Sequence, residues 1–381
     1  MLKKFLIIIL FAAGSLQAQV VYETIESTKL GETRELKIQL PRGYTQNQEA
    51  KYPLILVLDG DYLFEPVAGN TDYFAYWEDM PDALVVGINQ FDKRYDDCMY
   101  AEENSLPVES GAAFFEFLGM ELIPYLEKIY RLEPFRVIIG HGETANFINY
   151  YLLKSNPVFQ AYVAISPDLS PDITSYLSER LPLMEKKLFY YLCTSANDVP
   201  SIREKTLSLH QTLSALDPTR FLYKFQEFDE PSHYALPAHA IPNALETIFL
   251  VFQPISKDEY QETILKLEGS PVDYLIEKYE TIKELFGIEK QILVNDFKAI
   301  AAAIEKNEKY EDYENLSKLA RKNYPETLLS SYYLARFYEE TGSPKKAMKT
   351  YQSAFILEEI AGLTKDLMLE RAEAIKADFG Y

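Results

Sequence analysis

Histidine, cysteine and tryptophan are nearly missing: the 381 residues hold four, two and one of them. Two cysteines are too few for a disulfide-stapled scaffold or a thiolate metal cage. Cys98 and Cys193 lie in segments whose spatial separation the sequence does not fix, so one bridge and two free, half-buried thiols both stay open. His141, His210, His233 and His239 show no H-E-x-x-H or other ligand spacing, so no metal and no cofactor is expected. Cations are also short, 38 Lys and Arg against 58 Asp and Glu, for a formal charge of −20. Such a surface repels phosphate backbones and anionic headgroups, and nucleic acid is not an expected partner.

Long apolar runs are missing too. The one candidate is Phe5 to Ala13, preceded by Lys3 and Lys4 and followed by small or polar residues with a cleavage point after Ala18. It is shorter than the roughly 20 residues of a membrane span, and it has the layout of a secretory leader over residues 1–19. Losing it removes two lysines and no acid and takes the charge from −20 to −22. The mature chain is therefore expected to be secreted or periplasmic, with no membrane span.

What is present is an alternation of strands and helices. Val20 to Leu40 alternates polar and apolar residues around Leu30-Gly31-Glu32, a hairpin signal. Tyr52 to Leu58 and Ala83 to Ile88 are continuous apolar runs, as strands buried on both faces require. Gly111 to Tyr130 repeats apolar residues at three and four and predicts one amphipathic helix. Further strands are expected at Arg136–Ile139, Ala161–Ile165, Lys187–Cys193 and Arg220–Phe228. Strands separated by helices imply a mainly parallel sheet covered on both faces, the α/β class. The 29 tyrosines fall mostly at core spacing rather than in a sugar-binding stripe.

After Gln253-Pro254 strand signals fade, and the chain becomes rich in Glu, Lys, Leu, Ala and Tyr at helical spacing. This divides the mature chain into an α/β domain over residues 20–254 and an all-helical domain over 255–381. Leu334, Ala335, Tyr338, Gly342, Ala347, Tyr351 and Ala354 fit the spacing of one tetratricopeptide repeat, without its first aromatic or its closing proline. One repeat cannot bury its own faces, so the preceding helices must be degenerate repeats or a packing cap.

Residues 135–146 read F-R-V-I-I-G-H-G-E-T-A-N, an apolar run, a glycine-rich turn and the start of a helix. This resembles the G-x-S-x-G nucleophile elbow of α/β-hydrolases, in which a strand turns sharply into a helix and presents the middle side chain above the sheet. Here the middle residue is Gly142, so the serine hydroxyl is absent.

The resemblance extends over about 230 residues in order: S-T-K-L-G-E-T-R-E-L-K-I-Q-L-P-R-G-Y, K-Y-P-L-I-L-V-L-D-G, V-V-G-I-N, F-F-E-F-L-G-M-E-L-I-P-Y-L-E-K-I-Y, G-H-G-E-T-A, A-Y-V-A-I-S-P-D and S-H-Y-A-L-P. Together they are similar to the putative-esterase family of α/β-hydrolases, which includes esterase D and the ferric enterobactin esterases. The resemblance implies an eight-stranded hydrolase sheet and ester or thioester hydrolysis as the ancestral chemistry. A helical, repeat-like extension also fits exported members.

It further implies roles residue by residue. His233 matches the general base, and Asp198 the acid that orients it, with Asp229 and Glu230 as alternatives. Gly142 is the vacated nucleophile position. The amide of Glu143 and those of Asp59-Gly60 or the residues just after would form the oxyanion pocket, and His141 would line the ligand site. Thr144 lies half a turn into the helix, Cys98 would have to reach in from another loop, and Ser166 matches a structural residue, so none replaces the serine well. His210 and His239 are expected on helix surfaces. The expected function is non-catalytic: a small ester-like or glycan ligand in the old pocket, or a protein partner on the C-terminal helices. The alternative is an active carboxylic-ester hydrolase with an unrecognised nucleophile.

Overall fold

The computed structural model describes residues 19–217 and 221–380. The leader expected at residues 1–19 lies outside these, except for Gln19, which opens the first strand. The chain divides into two units, the first ending at Ile248 and the second starting at Phe249, a few residues before the compositional change at Pro254.

The first unit is built on eight strands: β1 (Gln19–Ser27), β2 (Glu32–Leu40), β3 (Tyr52–Val57), β4 (Leu84–Ile88), β5 (Leu132–His141), β6 (Ala161–Ile165), β7 (Leu188–Asn197) and β8 (Phe221–Ser232). They form one sheet in the order β1-β2-β4-β3-β5-β6-β7-β8. The hairpin β1–β2 and the β2–β4 pair are antiparallel, and every other neighbour is parallel. β3, β4 and β6 are buried along their whole length, which is why their sequences read as unbroken apolar runs rather than alternating ones.

The intervening helices are α1 (Phe64–Tyr76), α2 (Arg94–Asp97), α3 (Glu109–Glu116), α4 (Ile123–Ile129), α5 (Glu143–Phe147), α6 (Ile173–Arg180), α7 (Pro200–Leu213) and α8 (Leu236–Ile248). Leu54, Leu56 and Ile138 from the sheet share one apolar cluster with Phe114, Phe147, Ile173 and Leu209 from α3, α5, α6 and α7. Burying each such side chain contributes about 1.5–3 kcal/mol. α1 and α8 pack together and against other strands. The amphipathic helix expected over Gly111–Tyr130 starts earlier, at Glu109, and is interrupted by a π-helical stretch, Phe117–Leu122. Its apolar stripe survives because Phe114, Phe117, Leu118, Leu122 and Leu126 are all buried.

The second unit contains α9 (Pro271–Phe286), α10 (Val294–Lys306), α11 (Asp312–Asn323), α12 (Leu328–Glu340), α13 (Pro344–Ser353) and α14 (Lys365–Phe379). α9 opens with Ser270 accepting from the Val272 amide and Pro271 at its first position, and closes on Gly287 in the left-handed conformation. Ala335 on α12 and Ala347 and Tyr351 on α13 are fully buried in one cluster with Met368 and Ala372 of α14. Small side chains at these crossings let the helices approach closely. Among the described residues no helix is long and apolar enough to cross a membrane.

Candidate functional site

β3 and β5 are neighbours in the sheet, while the strands that follow them in sequence lie on opposite sides, so their C-terminal ends border the crevice where open α/β sheets place ligands. β5 ends at His141, and α5 begins at Glu143. The single residue between them, Gly142, has φ 62° and ψ −119°, a backbone region that a side-chain-bearing residue enters at a cost of about 1–3 kcal/mol. Gly140 keeps the turn tight: a Cβ there would sit 2.6 Å from the backbone of Thr144.

A Cβ on Gly142 would lie 3.7 Å from Nε2 of His233. His233 follows β8 directly, and its other ring nitrogen, Nδ1, is 2.8 Å from Oδ1 of Asp198, just past the end of β7. Asp198 is buried and also accepts from the Ser166 hydroxyl (2.6 Å), the Thr194 hydroxyl (2.7 Å) and the Val199 amide (2.8 Å). Burial alone would push its pKa up. The donors from His233, Ser166, Thr194 and Val199 outweigh this and pull it down to about 2. Asp229 and Glu230 are exposed and meet Asn197 only through their backbone carbonyls, so the carboxylate beside His233 is Asp198.

The position above Gly142 is occupied by a residue that sequence reasoning did not single out. Arg94, on the short helix α2, brings Nη2 to within 3.1 Å of the Cβ position of residue 142. Its guanidinium bonds Oδ1 of Asp59 (2.7 Å) and the carbonyl of His141 (2.6 Å), and pairs with the carboxylate of Glu143. α2 is anchored by the buried, two-pronged ion pair of Arg34 with Asp97, at 2.8 and 2.6 Å. No local motif marks Arg94, because its role depends on a loop fixed from β2.

Three residues expected to contact a ligand lie lower. Asp59, Gly60 and His141 are buried, and the two amides expected to donate to an oxyanion are already taken: Asp59 donates to Oε1 of Gln90 (2.9 Å) and Gly60 to the carbonyl of Ile88 (2.7 Å). β4 and the loop that follows it thus engage both amides of this dipeptide within the fold. The Glu143 amide, at the first position of α5, belongs to the donors that no helical carbonyl reaches. His141 meets the Tyr62 hydroxyl at 3.0 Å, leaves Nε2 buried without a hydrogen-bond partner, and lies 4.4 Å from the His233 ring. Burial first, then the nearby His233 and Arg94, pushes its pKa down to about 3.

The other candidate hydroxyls and thiols are buried or engaged in the fold. Thr144 is buried, its hydroxyl held between Oδ2 of Asp59 (2.7 Å) and the amide of His141 (2.9 Å). Ser166 stands 3.0 Å from Nδ1 of His233, on the side of the ring away from Gly142. Cys98 and Cys193 are both free and buried, and burial pushes both thiols up, which keeps them protonated. His210 stacks on Phe225 at 3.9 Å and is half-buried on α7, while His239 is exposed on α8.

A family model described as Putative esterase matches residues 27–221, just over half of the chain. The chain belongs to this family. A crystal structure of an uncharacterised protein from Capnocytophaga ochracea is 31% identical, with 94% of this chain and 100% of that one covered at a TM-score of 0.85. An IroE-like serine hydrolase from Shewanella oneidensis (21% identity, 80% of this chain and 99% of that one, TM-score 0.58) and the BES protein of Bacillus cereus (18%, 65% and 98%, TM-score 0.51) share the fold. No curated protein matches the chain. Family membership agrees with the mainly parallel sheet flanked by helices.

Proposed function

We propose that this protein is an exported, non-catalytic member of the esterase family that uses the former active site to hold a small ester-like or glycan ligand. The observation that carries the reading is Gly142, whose backbone has the conformation of a nucleophile elbow and whose missing side chain would point at Nε2 of His233. In serine hydrolases loss of the nucleophile costs about a millionfold in turnover. Here the hydroxyl is absent, and a guanidinium paired with Asp59 and Glu143 presses against its position. The His233–Asp198 pair then acts as a polar floor. Exposed aromatic rings at Tyr62, Tyr95 and Tyr234, beside His141, Arg94 and His233, offer flat faces for a sugar ring or an aryl ester.

The test is reactivity. Purified protein should take up no serine-directed fluorophosphonate probe, because labelling needs an activated nucleophile, and its hydrolysis of p-nitrophenyl butyrate should equal that of His233→Ala. A hundredfold fall in the variant would match the usual worth of a general base. It would overturn the reading by showing that the pair activates a nucleophile or a water.

Export rests on the apolar stretch Phe5–Ala13 with its preceding lysines, and amino-terminal sequencing of the mature protein tests it. For the helical unit we propose tetratricopeptide-like stacking and a protein partner. Support comes from the buried small-residue contacts Ala335 and Ala347 and the turn at Gly342. Pull-downs from envelope extract with the full chain and with a chain ending at Pro254 should differ; equal recovery would remove the partner role.

A further inference from the structure

On the helical face of the first unit lies a groove of about 910 Å³ that shares no residue with the Gly142 site. Its floor is the short 3₁₀ segment Ile148–Leu153 that follows α5, and its walls are α3 with the π-helical stretch on one side and α6 on the other. Phe115 and Tyr151 stack there with ring centroids 4.2 Å apart, and Leu153 and Met120 extend the apolar surface, Met120 being largely exposed. Two cations border it. Lys154 lies over the Phe115 ring, 5.0 Å from its centroid. Arg180 has its Nε buried with no hydrogen-bond partner, and no ion pair engages its guanidinium among the described residues. Of the two acids at the groove, Glu116 is already paired with Lys29 at 2.6 Å, and Glu179 is exposed beside Arg180 in sequence.

We infer that this groove binds a single-chain amphiphile with an anionic head, the chemistry of a medium-chain fatty acid. The volume is at the upper end of the range of small-molecule sites. An unbranched chain fits a floor with few polar groups, and a carboxylate can pair with the Arg180 guanidinium, which no ion pair engages among the described residues. Charge supports this choice: with Glu116 paired, Lys154 and Arg180 outnumber Glu179 at the groove, which favours an anion locally on a chain of net charge −20. Membrane phospholipids also present an anionic head on acyl tails, and the experiment separates the two sources.

The probe is 12-NBD-stearate, titrated into the full-length protein and competed by laurate or by dodecanol. Expected is saturable binding with one site, displaced at least tenfold more readily by laurate than by dodecanol. Gly119→Phe should abolish binding by filling the groove, since a Cβ at Gly119 meets only Tyr151, at 3.7 Å, and the backbone there needs no glycine. Arg180→Gln should reduce laurate to the level of dodecanol. Melting curves identify any variant that fails to fold, and either variant suffices. Equal competition by laurate and dodecanol, or parent-like binding by a folded Gly119→Phe, would overturn the inference. So would binding to phosphatidylglycerol vesicles without displacement of the probe by laurate.

Discussion

Gly142→Ser tests the site most directly, because it restores one atom group and leaves everything else in place. The new Cβ would sit 3.7 Å from Nε2 of His233, so the hydroxyl, about one bond length further out, comes within hydrogen-bond reach of a base already held by Asp198. Two terms oppose it. The residue must adopt φ 62° and ψ −119°, a cost of about 1–3 kcal/mol, and its Cβ meets Nη2 of Arg94 at 3.1 Å. Arg94 must give way by a few tenths of an ångström against its bonds to Asp59 and the His141 carbonyl. The folded protein should therefore lose about 1–3 kcal/mol in chemical denaturation, and Gly142→Ala, which carries the same strain without the hydroxyl, should lose a similar amount. Only the serine variant should gain fluorophosphonate labelling, read by intact mass, and a turnover of p-nitrophenyl butyrate that drops about 10²-fold or more on adding His233→Ala. Recovery stays partial while Arg94 and the Glu143 carboxylate occupy the site, so Gly142→Ser with Arg94→Ala should label faster. If both serine variants fold and neither labels, the elbow and the base assignment fail together.

Acid should destabilise the first unit early. His141 titrates near 3 when folded against 6.5 when unfolded, so the unfolded chain binds the extra proton between these values and stability falls with falling pH by about 1.4 kcal/mol per unit in that window; His141→Gln should flatten that slope in urea titrations from pH 7 to 4. Asp198, held near 2, contributes stability that is full above its unfolded value of about 4 and is lost as pH falls towards 2, so Asp198→Asn should cost stability at pH 7 and narrow its difference from the parent at low pH. Arg34→Ala would leave Asp97 buried without its ion-pair partner and should cost about 3–5 kcal/mol, with α2 and Arg94 losing protection first in hydrogen exchange.

The parts of the fold legible in the sequence are those fixed by local pattern. β3, β4 and β6 announce themselves because both faces are buried, and the hairpin because Gly31 takes a positive φ between alternating strands. Gly142 and His233 could be placed because a strand-to-helix turn and a loop after the last strand sit at defined points of an ordered topology. The π-helical stretch was not legible: Phe117–Leu122 adds a residue to a turn while keeping Phe117, Leu118 and Leu122 buried, so a hydrophobic count at three and four reads it as plain helix. The fate of the Asp59 and Gly60 amides was hidden for another reason. It is decided by Gln90 and Ile88, some thirty positions away.

Arg94 is the clearest case of chemistry that only the tertiary structure assembles. In sequence it is one cation in F-D-K-R-Y-D-D, with nothing to distinguish it from Lys93. Its position is set by Asp97 meeting Arg34 of β2, and its charge is matched by Asp59 after β3 and Glu143 after β5. Gly142 and Arg94 are thus coupled. A side chain at residue 142 would press on the guanidinium, which would have to shift by a few tenths of an ångström. A cation tied to two carboxylates stabilises a developing negative charge poorly, since much of its field is already spent on them. On the function proposed above, a glycine at residue 142 and this ion-pair network act in the same direction, towards a site that holds a ligand and leaves its bonds intact.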